Sequence, residues 1–215
     1  MSLKLHLLNS GPLENNVIIL QDEESWEGII FDPSFDPDEV LSVVEKEQIN
    51  ITSLLFTHGH FDHFAGLAYL LANIKPEPRV GLHPADLELW RQGGGSVQFR
   101  IPIELPADPD LMLEHGQRLS LGKHVIEVRH TPGHSPGSVI FHIPAITTAI
   151  VGDLIFRQGV GRTDLDGGSF PALKNSIENQ VYTLPPETIL IPGHGPQTSV
   201  ADEMRYNPYV GAGVD

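Results

Sequence analysis

Cysteine is absent from all 215 residues. That absence removes disulfides, thiolate metal sites, cysteine nucleophiles and thiol redox chemistry together, and it fits a reducing compartment. Basic residues are scarce: 13 Lys and Arg stand against 28 Asp and Glu, for a formal charge of −15. A surface that grips nucleic acid or an anionic membrane carries the opposite sign, so neither partner class is expected. No apolar run approaches the ~20 residues that span a bilayer. The opening Met1-Ser2-Leu3-Lys4-Leu5-His6 lacks the apolar stretch and cleavage site of a secretory leader. The expectation is a soluble cytoplasmic protein; nothing in the sequence bears on its oligomeric state.

Hydrophobic residues at 40% and charged residues at 19% are ordinary globular values. The length suits one domain over residues 1–215, with chain enough to bury a core. Acid is concentrated early: residues 14–50 hold eleven Asp and Glu against one Lys. That excess reads as a solvated surface. Gly and Pro together are 39 residues, which implies many turns.

Short, partly β-branched apolar runs bounded by turn residues predict strands at Leu3–Leu8, Val17–Leu20, Gly28–Phe31, Ile51–Phe56 and Arg79–Leu82. Further strands are predicted near Val125–Arg129, Ser138–His142, Thr148–Val151 and Thr188–Ile191. Asp36-Pro37-Asp38-Glu39 opens a helix, with Asp36 as cap and Pro37 in the first turn. Helices are also expected over His63–Ala72, from Pro84 to Trp90, near Ala172–Val181 and near Val200–Arg205, and residues 93–110 read as a surface loop. Strand runs mixed with αβ units in both halves suggest a layered α/β fold with two sheets inside.

The chemistry concentrates in Thr57-His58-Gly59-His60-Phe61-Asp62-His63, which leaves a buried strand and enters a helix. His58 and His60, two apart in extended chain, point the same way. Asp62 and His63 face a second point from the helix start. Three later segments also put a metal-competent residue after an apolar run: Thr131-Pro132-Gly133-His134, Gly152-Asp153 and Pro192-Gly193-His194. The seven side chains divide into two sites. His58, His60 and His134 would hold one divalent ion, Asp62, His63 and His194 a second, with Asp153 bridging them. Imidazole and carboxylate suit zinc first, with iron or manganese as alternatives. Two ions ~3.5–4 Å apart share a hydroxide near neutral pH, so no Ser or Cys nucleophile is required. Of the other histidines, His83 and His130 could support ligands from behind, while His6, His115, His124 and His142 read as structural or surface residues.

These residues resemble the metallo-β-lactamase-fold superfamily over Asp32 to Asn207. The resemblance implies a four-layer αββα sandwich with the metals at one sheet edge. Asp153 stands where cysteine-ligand lactamases have cysteine, and His60 stands where flavo-diiron proteins have Glu. The extra domains and basic surfaces of nuclease branches are missing. The segments Thr57–His63, Thr131–His134, Gly152–Phe156, Gly159–Asp164 and Pro192–Pro196 look like the glyoxalase II-like (hydroxyacylglutathione hydrolase-like) branch. Gly159–Asp164 and Arg205–Pro208 look like its short, single-domain members.

The resemblance implies hydrolysis of a small-molecule thioester by the bridging hydroxide; Asp62 is expected to orient that hydroxide as well as bind metal, and Arg162, always charged and fork-shaped, to meet a substrate carboxylate. Arg162 has an alternative role as an ion-pair partner of Asp164 or Asp166. Thiols have pKa values near ~8.5 and leave with little help from an acid. An alternative is a persulfide dioxygenase with one iron, which shares Gly-x-Gly-Arg-Thr-Asp but typically has cysteine where Val160 stands. Another hydrolase of the same fold, or a metal-binding module without turnover, completes the set.

Overall fold

The computed structural model describes residues 3–105 and 107–212. In chain order the first half holds β1 (Leu3–Ser10), β2 (Asn15–Asp22), β3 (Glu27–Phe31), α1 (Pro37–Lys46), β4 (Asn50–Leu55), α2 (Phe61–Phe64), α3 (Leu67–Asn73), β5 (Arg79–Leu82), α4 (Leu87–Arg91), α5 (Ser96–Phe99) and β6 (Leu111–Met112). The second half holds β7 (Arg118–Leu121), β8 (His124–His130), β9 (Val139–Ile143), β10 (Thr148–Gly152), β11 (Ile155–Phe156), β12 (Gly159–Val160), α6 (Phe170–Ser176), β13 (Ile189–Pro192), β14 (Thr198–Ser199) and α7 (Val200–Tyr206).

Two six-stranded sheets form, in the orders β1-β2-β3-β4-β5-β6 and β14-β13-β10-β9-β8-β7, and β11 and β12 make a separate hairpin. Successive side chains of a strand point to opposite faces, and the central strands are apolar on both. Val17 and Ile19 of β2 face the first helical layer, with Val40, Leu67, Leu70 and Trp90. Ile18 and Leu20 face inward to Phe141, Ile150 and Ile191 of the other sheet. Ala149 and Val151 of β10 face outward to Leu173, Ile177 and Val200. Three cores between four layers give the αββα sandwich.

Several predicted boundaries shift for identifiable reasons. The helix expected over His63–Ala72 is two helices, because the Gly66 amide leaves the helical pattern and donates to Pro33 O at 3.1 Å. Asp36 sits at the cap position of α1, but in the left-handed region (φ 55°) and without a side-chain cap; its carboxylate accepts the Gly11 amide at 2.7 Å instead. The helix near Ala172–Val181 is α6 followed by one π-helical turn, Ile177–Val181. Pro84–Asp86 is a 3-10 turn leading into α4. Residues 93–110, expected as a plain surface loop, hold α5.

β10 and β13 run parallel, and β8 shares their direction through the antiparallel β9. Their C-terminal ends therefore reach one edge of the second sheet. The Val139 amide donates to Thr57 O at 2.8 Å and joins the end of β4 to that edge. All four predicted ligand segments thus converge, as ligand sites do at the carboxyl ends of strands in α/β folds. No helix among the described residues is long and apolar enough to cross a membrane.

Candidate metal centre

The seven residues come together. Three groups each place one potential ligand atom per residue within 4.8 Å of the others: His58, His60 and His134; Asp62, His63 and His194; and His58, His63 and Asp153. Asp153 lies between the first two sets. Its Oδ2 is 3.7 Å from His134 Nε2 and 3.6 Å from His194 Nε2, and its Oδ1 is 3.5 Å from His63 Nε2. Asp62 Oδ2 is 3.2 Å from His194 Nε2.

The donor set fits cations on this structure's own evidence. His58 Nε2, His63 Nε2 and Asp153 Oδ1 are buried without a hydrogen-bond partner. Three orphaned acceptor-capable atoms facing one another are costly unless something positive engages them. Gly193 keeps the space open. A Cβ there would stand 2.2 Å from Asp153 Oδ1 and 2.7 Å from His63 Cε1.

Imidazole tautomers are fixed from behind. His134 Nδ1 faces Arg162 O at 2.8 Å and His194 Nδ1 faces Leu13 O at 2.8 Å. A carbonyl only accepts, so both Nδ1 atoms carry the proton and both Nε2 lone pairs point into the cluster. Thr57 Oγ1 donates its one proton to Asp32 Oδ2 at 2.7 Å, so His58 Nδ1, 3.0 Å away, donates to Thr57. Asp32 also accepts the Thr57 amide at 2.7 Å, and its Oδ2 lies 3.0 Å from His63 Nδ1. Asp32 is fully buried and left-handed (φ 48°), a backbone cost held in place by these contacts.

Electrostatics separates the two triads. Burial, and then the neighbouring imidazoles His63 and His134, hold His58 well below the usual imidazole range. Burial and His134 push His60 down to about 3. Both are therefore neutral, the form a metal requires. At His63 burial also opposes the charge, but Asp62, Asp32 and Asp153 outweigh it and raise the pKa well above the ordinary value. Asp62 and Asp153 are lowered, against burial, chiefly by His63.

Sequence reasoning missed the supports. Asp86 is fully buried; Oδ2 accepts the Gly59 amide at 2.8 Å and the Ser135 hydroxyl at 2.6 Å, and Oδ1 accepts the Gly137 amide at 2.6 Å. It ties the His58–His60 turn to the His134 turn. Asn15 Nδ2 donates to Asp62 Oδ2 at 3.0 Å, and Asn16 Nδ2 to Pro192 O and Gly195 O at 2.9 and 2.8 Å. His83 and His130 stack on each other at 4.0 Å, and neither makes a hydrogen bond to the seven clustered residues.

A cleft of about 730 Å³ opens over the cluster, bordered by His60, Asp62, His134, Asp153 and His194. Segment 94–99 forms one wall, where a plain surface loop was expected. Gly94 makes that possible: its carbonyl accepts the Phe61 amide at 3.1 Å, and a Cβ on it would stand 2.3 Å from Phe61 N. Arg162 borders the cleft, but its Nε and Nη2 are both engaged by Asp164 at 2.8 Å.

A family model described as the metallo-beta-lactamase superfamily matches residues 10–194. The chain belongs to that superfamily. It is 34% identical to a probable metallo-hydrolase, YqgX, of Bacillus subtilis, over 93% of this chain and 94% of the relative. It is 30% identical to a hydroxyacylglutathione hydrolase, GloC, of Haemophilus influenzae, over 97% and 98%. Among solved structures it is similar to the BLEG-1 B3 metallo-beta-lactamase (TM-score 0.90, 33% identity, 96% and 99% covered) and to TTHA1623 in a di-iron-bound form (TM-score 0.86, 36% identity, 95% and 99% covered). The superfamily and the His/Asp cluster together mark a metal-dependent hydrolase with room for a dinuclear centre.

Proposed function

We propose that the chain is a single metallo-hydrolase domain that cleaves small-molecule thioesters at a two-metal centre, in the manner of the glyoxalase II-like branch. His58, His60 and His134 would hold one ion and Asp62, His63 and His194 the other, with Asp153 within reach of both sets. Bound there, the ions would supply a water-derived nucleophile at neutral pH and stabilise the charge that develops on the acyl oxygen. Zinc suits the donor set, and the di-iron relative supports iron equally well.

The observation that carries this reading is the position of Asp153 between two triads, with the Nε2 atoms of His134 and His194 turned towards it. The protein's own part is positional. Asp62, held by Asn15, presents a carboxylate oxygen at the floor of the cleft and can orient a nucleophile. Thr57, itself bonded to Asp32, keeps His58 in the ligating tautomer, and the Asp32 carboxylate lies 3.0 Å from His63 Nδ1. A thiolate leaves without an acid, and no cleft acid in line with a leaving group is required. The likeness to GloC supports the thioester, and the likeness to BLEG-1 supports β-lactam hydrolysis as a second reading.

The test is metal analysis of protein purified without added metal, with assay of a thioester and a β-lactam panel before and after chelation. Two equivalents of metal, and thioester turnover abolished by chelator and by His58→Ala, are expected. Turnover that survives both treatments overturns the reading. One iron per chain with oxygen uptake on a persulfide replaces it with the dioxygenase.

A further inference from the structure

Above its floor, the cleft has an unusual wall for an enzyme of glutathione conjugates. Leu13, Phe61, Leu89, Phe99 and Leu165 make it largely apolar. The rings of Phe61 and Phe99 meet at 5.4 Å with a 40° tilt, and Phe99 is 44% exposed to the cleft side and solvent. The charges on the wall are Glu88, Asp164 and Asp166 against Arg162 alone among the described residues. Arg162 is neutralised by the bidentate contact with Asp164. Asp164 in turn is held down to about 2 by that hydrogen bond, so the pair stays ionised and closed on itself across the working pH range. Glu88 and Asp166 are both exposed; Glu88 accepts from Gln92 Nε2 at 2.7 Å and feels Arg91 behind the wall, but neither acid has a cation beside it among the described lining residues. Gln98 adds a neutral hydrogen-bonding group. The whole chain stands at −15, and two divalent ions at the floor would still leave it strongly negative. A carrier with carboxylates would meet a surplus of negative charge and no free guanidinium or ammonium.

We propose that this cleft binds a ligand with an apolar arm and no net negative charge, so that the thiol carrier of the substrate is neutral or cationic and not glutathione-like. The apolar arm lies on the Phe99 and Leu89 side, where water is displaced from apolar surface, and the carrier passes Glu88 and Asp166. This rests on the thioesterase reading for the reacting bond, but the charge preference belongs to the cleft and is measurable without turnover.

The experiment is calorimetric binding of S-hexyl thioethers of N-acetylcysteamine, thiocholine and glutathione to the metal-loaded protein, followed by turnover of the corresponding butyryl thioesters. The neutral and cationic thioethers are expected to bind about tenfold more tightly than S-hexylglutathione in low salt, with the gap shrinking in high salt. S-methyl analogues are expected to bind about tenfold more weakly than S-hexyl ones. In the double variant Glu88→Gln and Asp166→Asn, the ratio against glutathione is expected to narrow severalfold. S-hexylglutathione binding as tightly as the others, or a ratio unmoved in the variant, overturns the proposal. Ranked binding without hydrolysis of any of the three thioesters overturns the thioesterase reading and leaves the preference of the cleft standing.

Discussion

At the scale of the residue, Asp32 and Asp86 can each be changed without touching any of the seven clustered side chains. Asp32→Asn keeps the shape but replaces one acceptor oxygen by a donor that faces Thr57 or His63. Metal affinity is expected to fall about 10- to 100-fold, measured by competition with a chromogenic chelator. Asp86→Asn gives the Gly59–Ser135–Gly137 cradle an NH₂ where it needs an acceptor. A loss of about 1–3 kcal/mol is expected from urea unfolding. His83 offers a test by titration. Burial, and then His130 stacked on it, push its imidazole down to about 4. A folded pKa below the unfolded ~6.5 means that the unfolded chain binds the proton more readily. His83 therefore adds stability above pH ~6.5 that is lost as pH falls towards 4, and NMR should place its midpoint near 4, rising in His130→Ala. The seven ligand candidates were legible because they follow apolar runs in segments that also carry histidine, glycine or both. Asp32 follows the run Gly28–Phe31 too, but without a histidine or glycine beside it, and Asp86 falls inside the helix expected from Pro84 to Trp90; a lone Asp looks the same whether it caps solvent or clamps two loops.

At the scale of the element, the β11–β12 hairpin is held from a distance. Glu203, buried in α7, accepts from the Gln158 amide at 2.9 Å, Thr198 Oγ1 at 2.6 Å and Asn207 Nδ2 at 2.7 Å. Asn207 Nδ2 also reaches Gly159 O at 2.9 Å. The Arg205–Pro208 motif thus acts through Asn207 on the hairpin whose extension carries Arg162 O, the acceptor of His134. Asn207→Ala is expected to loosen residues 157–162, seen as faster amide exchange there, with unfolding changed by about 1–2 kcal/mol. The longer strands were readable as short apolar runs bounded by turn residues, because both faces of the central ones are buried. The two-residue strands β6, β11, β12 and β14 were not, being too short for any pattern, nor was the edge strand β7, where Arg118 and Ser120 are exposed and break the apolar run. α5 was missed because four residues among glycines carry no helical signal; its place is set by the Gly94–Phe61 contact, which only the folded chain creates.

At the scale of the whole molecule, the centre joins elements of both sheets. His58, His60, Asp62 and His63 follow β4 of the first sheet, and His134, Asp153 and His194 follow strands of the second. Ions bound there cross-link the sandwich, so chelation is expected to lower the global unfolding midpoint and not merely to loosen a loop. At a free metal concentration 100 times Kd the linkage is worth about 2.7 kcal/mol. Thermal scans at graded metal buffering measure it. The α/β class and the two-sheet arrangement were visible in the order of elements, and the resemblance supplied the four layers. Burial of both faces of β2, β3, β9 and β10 then supplied their physical cause.

His134 and His194 are oriented by the carbonyl oxygens of Arg162 and Leu13, two residues that border the cleft. A carbonyl is the same whatever side chain its residue bears. Exchange at these two positions therefore leaves the imidazoles in register while remaking the rim that a ligand meets. In this architecture the reacting centre and the taste for a substrate are separately inheritable, so a lineage can change what it cleaves by point replacement without relearning how to cleave.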